Sequence, residues 1–179
     1  MAILPITVYG DKILREKTKD IKQVDDELIA KIHSMFKTMK NANGIGLAAN
    51  QVGLDKSVFV VDISPVEGYE DQSPRIMLNP QIVANSDETV FMEEGCLSLP
   101  DLRSDVERSK EIKVKYLDTD EKEHEEEFDD LMARVILHEY DHLIGKLIPD
   151  RVEPQVKRKM QKQLVKMMRR DIDVDYPIT

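Results

Sequence analysis

The chain has 179 residues, 41% apolar and 34% charged with a formal net charge of −9, the balance of a globular protein that buries its own core. No apolar run approaches a membrane span, and Met1–Ile6 lacks the basic start and long apolar stretch of a secretory leader. A single Cys excludes a disulfide framework within the chain, so the expectation is one domain, residues 1–179, of a reduced, cytoplasmic protein.

Leu28, Ile29, Ile32, Met35, Phe36 and Met39 recur at helical spacing. They predict an amphipathic helix over about 25–41, capped by Asp25 or Asp26 and ended at Asn43-Gly44. Ser57–Ile63 is a β-branched apolar run and reads as a strand. Residues 64–74 read as a surface loop. Arg75–Ala84 and Glu88–Met92 read as strands joined by the polar turn Asn85-Ser86-Asp87. Glu111–Leu117 alternates as a half-buried strand does, and Asp118-Thr119-Asp120 turns it into a partner, Glu123–Phe128. Leu131, Val135, Ile136 and Leu143 then switch the period to about 3.6, predicting a helix over 129–144 stopped by Gly145. Val156, Met160, Leu164 and Met167 form the stripe of a last helix, with Pro154 near its start. Strands grouped between helices indicate α+β. With no Trp, the core rests on Leu, Ile, Val and Met, and most of the nine Met residues read as core filler.

Charge is uneven. Residues 118–130 hold nine acids against one Lys, and residues 153–170 hold seven bases against Glu153. A basic helix on an acidic protein suits contact with a polyanion; a solvated helix face explains it equally well.

Three segments carry chemistry. His138 and His142 stand four apart, which on a helix puts both rings on one face, with Glu139 beside the first. This His-Glu-x-x-His pattern suits a metal with a general base, although two unrelated surface histidines would produce the same string. A catalytic metal needs a third ligand. Metzincin proteases place a His where this chain has Ile148, and thermolysin-like proteases use a later Glu, for which only Glu153, close after Pro149, is available. Cys96, in Glu94-Gly95-Cys96-Leu97-Ser98, is the remaining candidate; a lone Cys is more often a small buried hydrophobe. The third segment, Gly44–Gln51, has small residues that admit a ligand backbone, and Gln51 offers an amide donor to an oxyanion. By itself that segment reads better as a tight packing loop after the first helix. His33 and His124 read as solvated residues.

Together and in this order, Gly44–Gln51, Glu94–Ser98 and His138–Leu143 resemble the signatures of the peptide deformylase family, over about Pro5 to Arg151. The resemblance implies a hydrolase that removes the formyl group from N-terminal formyl-Met of nascent chains and releases formate. It implies metal ligation by Cys96, His138 and His142, with Fe(II) expected and Zn, Ni or Co as substitutes. It gives Glu139 the role of base, then of acid toward the leaving amine, and Gln51 and the Leu97 N–H the role of oxyanion donors. Gly46 and its neighbours Gly44 and Ile45 would pair with the substrate backbone. Ile45, Leu131 and Val135 would wall the methionine pocket. Glu94, counted with Gly44, Ile45, Gly46, Leu131 and Val135 among the substrate contacts, would support the site in a charge pair with Arg103. The expected fold is antiparallel sheets around a central metal-binding helix, with one helix before and one after. The basic last helix, about 153–170, is compatible with docking on the ribosome, where ribosomal RNA is the one nucleic-acid contact expected; no membrane partner is expected. Two positions depart from the family pattern: Leu137 stands where Gln is usual and Asn50 where Pro is usual. They suggest a lost polar contact and a looser loop, and they motivate a competing reading as a catalytically silent, peptide-binding relative.

Overall fold

The computed structural model describes residues 2–179. Helix α1 spans Asp26–Asn41, and its N-cap Asp25 accepts from the Leu28 N–H at 2.8 Å, satisfying one of the free first-turn donors. Strands follow at Gly46–Ala48 (β1), Val58–Val61 (β2), Arg75–Asn85 (β3), Thr89–Cys96 (β4), Leu99–Ser109 (β5), Glu111–Leu117 (β6) and Glu123–Asp129 (β7). Helix α2 spans Asp130–Leu143 and α3 spans Pro154–Met168. The strands form a five-stranded antiparallel sheet, β1-β2-β3-β6-β7, and a two-stranded antiparallel sheet, β4-β5. The fold is α+β, as the element order predicts.

Strand alternation explains why the larger sheet takes a helix on each face. Phe59 and Val61 of β2 point to one side, where they join Met132, Ala133, Val135, Ile136 and Leu143 of α2. Val58 and Val60 point to the other, against Leu28, Ile32, Met35 and Met39 of α1. A separate apolar cluster packs α3, through Met160, Leu164 and Met167, onto Leu99, Leu102 and Val106 of β5. Helix α2 is thus central, and Gly145 ends it in the left-handed region at φ 74°. A Cβ there would run into the Arg15 carbonyl, so both conformation and space require glycine.

Two sequence expectations need correction. The turn after β3 does not close a hairpin: β3 pairs with β2 and β6, and β4 pairs with β5. Strand β5 itself is missing from the predicted elements. Its alternation was masked because two of its inward positions, Ser104 and Arg108, are polar, and because Asp101, at φ 60°, interrupts the run.

Candidate active site

Helix α2 sets the geometry of the site. Residues 134, 138 and 142 follow one another at intervals of four, so Arg134, His138 and His142 share a face. Strand β4 ends at Cys96 beside that face. Cys96 Sγ lies 3.3 Å from His142 Nε2, which lies 3.2 Å from His138 Nε2. Among the described residues these three form the one cluster of His, Cys, Asp or Glu atoms with metal-site spacing, all within 4.8 Å of one another. Two ring nitrogens and a sulfur this close share either protons or a cation between them. A thiolate with two imidazoles is also an accepted donor set for Zn, Fe, Co or Ni. The three residues therefore fit a metal ion.

Glu94 orients the cluster. Its carboxylate lies 2.8 Å from His138 Nδ1, which leaves His138 Nε2 to face the other two donors. Burial would raise the pKa of Glu94, but His138 and Arg108 outweigh it and hold the group well below the usual carboxylate range. Burial lowers His138, yet Cys96 and Glu94 beside it leave it well above its ordinary value; burial and the His138 charge push His142 down.

The expected Glu94–Arg103 pair does not form. In the β4–β5 register Glu94 faces Ser104 while Arg103 faces Gly95, and neighbouring residues point to opposite sides of the ribbon. Arg103 is exposed, 3.9 Å from Glu93. Glu94 points inward and is held by Arg108 (2.6 and 3.0 Å) and Arg134 (2.8 Å). Arg108 also donates to Asp141 at 2.8 Å, and Asp141 accepts from Arg151 at 2.9 and 2.5 Å. Sequence reasoning missed all four of these partners, and it placed Glu94 among substrate contacts. Its carboxylate is fully engaged, so its part is bracing. For Arg134 a signal existed: it lies one helical turn before His138.

Glu139 is buried, with Oε2 unpartnered, and burial raises its pKa to about 7. Gly46 makes room for it: a Cβ at Gly46 would approach Val135 Cγ1 to 2.8 Å and Glu139 Cδ to 2.9 Å. The glycine thus serves the carboxylate directly, beyond the substrate approach expected of it. Gln51 is 1% exposed; its Oε1 accepts from the Ala48 N–H (2.9 Å), while Nε2 lies 3.1 Å from Ser98 Oγ and 3.6 Å from Cys96 Sγ. Asn50 does not loosen its loop. It is fully buried and its Nδ2 donates to the His142 carbonyl at 2.6 Å, tying the loop to the end of α2. Leu137 packs on the sheet-side core instead of making a polar contact.

These groups open onto a cleft of about 670 Å³. Gly44, Ile45, Gly46, Gln51, Glu94, Cys96, Leu97, Leu131, Val135, His138 and Glu139 all line it, so nearly every residue singled out in the sequence meets there; His142 lies behind. Asp173–Tyr176, on which the sequence reading was silent, line it too. Burial, then the neighbouring Cys96 and Asp101, push Tyr176 up to about 12, so its hydroxyl stays a donor.

A buried carboxylate beside three converging metal-type donors, at the base of an open cleft in an α+β fold, is the layout of a metallohydrolase. Residues 3–158 match the family model for polypeptide deformylase. A peptide deformylase of Chlorobium phaeobacteroides (strain BS1) is 48% identical over 176 residues, 98% of this chain and 95% of that protein. A crystal structure of the Thermotoga maritima enzyme superposes with a TM-score of 0.80 at 42% identity, covering 86% of this chain and 100% of that one. The Legionella pneumophila peptide deformylase gives 0.85 at 34% identity, covering 95% and 98%. The chain belongs to the polypeptide deformylase family.

Proposed function

We propose that this protein is a metal-dependent hydrolase that removes the N-formyl group from formyl-Met at the start of nascent polypeptides. Family membership supports the reaction, and the convergence of Cys96, His138 and His142 beside Glu139 is the observation that carries the metal dependence. Cys96 Sγ and the Nε2 atoms of His138 and His142 would hold the ion, Fe(II) in cells with Zn, Ni or Co as substitutes. When bound, the ion supplies a Lewis acid that polarises the formyl carbonyl and makes water nucleophilic near neutral pH.

The chain's own groups do the rest. Glu139 takes a proton from the attacking water as the new C–O bond forms. It passes that proton to the amine nitrogen as the C–N bond breaks, leaving formate and a free N-terminus. Gln51 Nε2 and the Leu97 N–H donate to the oxygen that becomes negative on attack. The backbone at Gly44–Gly46 pairs with the peptide, and Ile45, Leu131 and Val135 enclose the methionine side chain. The whole of 1–179 acts as one catalytic domain. Among the described residues no helix is long and apolar enough to cross a membrane, which accords with work in the cytoplasm. A docking face for ribosomal RNA would use Lys157, Arg158, Lys159, Lys162, Lys166 and Arg169, all exposed on or just after α3. Arg170 drops out of that face, because it is bound to Asp11, Tyr9 and Met167.

Protein loaded anaerobically with Fe(II) should release formate from a formyl-Met peptide. Glu139→Ala should keep the metal and lose turnover by a factor on the order of 10²–10⁴. A folded, metal-loaded wild type that releases none would end the proposal, and an active Glu139→Ala variant would remove Glu139 from its role.

A further inference from the structure

We propose that Tyr176 is a positioning residue for this site, carried by a C-terminal strap that forms one wall of the substrate cleft; the proposal rests on the deformylase reading above. The strap, residues 171–179, lies beyond residue 158, where the family match ends. Its side chains alternate: Ile172, Val174, Tyr176 and Ile178 are half-buried, and Asp171, Asp173 and Asp175 are exposed. Ile172 and Ile178 pack on the cluster that joins α3 to β5.

Both ends of the strap are fixed. At its start Arg170 donates to Asp11 (2.6 Å) and to the Thr179 carbonyl (2.9 Å), and Thr179 Oγ1 lies 2.7 Å from Asp11 Oδ2. Near its end the Ile6 N–H donates to the Pro177 carbonyl (2.8 Å), and the Thr179 N–H to that of Ile6 (3.1 Å). Between these anchors Asp173–Tyr176 border the same cleft as Gly46, Cys96 and Glu139.

Tyr176 reaches the chemistry through one hydrogen bond: its hydroxyl donates to the Leu97 carbonyl at 2.8 Å. Leu97 stands between Cys96 and Ser98, in the turn that joins β4 to β5. Gln51 holds the same turn through Ser98. The turn is therefore held at adjacent residues, by the strap at Leu97 and by the Gly44–Gln51 segment at Ser98. The Leu97 N–H and C=O share one Cα, so releasing the carbonyl frees the N–H to rotate away from the developing oxyanion. A donor displaced by a fraction of an ångström loses much of its effect on rate.

Wild type and Tyr176→Phe, loaded with the same metal, are compared on a formyl-Met peptide for kcat, KM, bound metal and thermal midpoint. The phenylalanine keeps the ring and removes only the donor. We expect kcat and kcat/KM to fall together by about tenfold, with KM within about twofold and one metal per chain retained. An unchanged kcat overturns the proposal, as does a fall that merely tracks lost metal or lost folded protein. An inactive wild type would count against the deformylase reading instead.

Discussion

The β4–β5 ribbon with α2, and the β6–β7 hairpin, use the same kinds of charged residue to opposite effect. Under the ribbon, Glu94, Arg108, Arg134 and Asp141 have side chains only 4–6% exposed, and each is bonded to at least one other member. On the hairpin, Lys113 and Lys115 pair with Glu125 and Glu123 at 3.3 and 3.2 Å with side chains 39–61% exposed. Water already solvates the second set, so its pairs add little. The first set has no water to fall back on, and each charge depends on its partner. Burial, more than distance, decides which ion pairs this protein depends on. The buried ones also orient a metal-type ligand, since Glu94 is shared between Arg108, Arg134 and His138.

The comparison can be broken by mutation. Arg108→Met would leave both Glu94 and Asp141 short of a partner, and chemical denaturation should show a loss of about 3–5 kcal/mol. Because Glu94 would then be less well fixed against His138, metal affinity measured by chelator competition should fall about 10–100-fold. A loss under 1 kcal/mol would place the buried network in the same class as the hairpin. Asn50→Ala should cost about 1 kcal/mol, since the His142 carbonyl would lose the Asn50 amide but keep the Gly145 N–H at 3.1 Å; a neutral result would mean that the loop does not brace α2. Lys115→Ala should change stability by at most about 1 kcal/mol, with the difference shrinking in high salt. A large, salt-independent loss there would contradict the distinction drawn between the two regions.

The legible parts of the molecule were those in which chemistry follows chain order. His138, Glu139 and His142 lie within five residues, and helical geometry alone brings the two rings together. The α1 stripe and its Asp25 cap are equally local. Cys96 was reached by eliminating other third ligands, and by the resemblance. What escaped was long-range. Arg108 pairs with Glu94 and Asp141 across 14 and 33 residues, and no periodicity announces that a charged side chain will turn inward. Placing an inward arginine on β5 also hid the strand. Arg103 was the nearer candidate in sequence, but the ribbon's register turned it to solvent. The strap escaped for another reason: its alternation of apolar and acidic residues is visible, but nothing in it tells that Tyr176 ends at Leu97, 79 residues away.

The central claim is that Cys96, His138 and His142 close on a single ion. Crystals of the metal-loaded protein, with anomalous data at the metal edge, test it most directly. The account predicts one ion with a sulfur about 2.3 Å away and two ring nitrogens at about 2.0–2.1 Å, with Glu139 near but not bonded. An ion held elsewhere, or Cys96 turned out of bonding reach while the histidines bind, would contradict it.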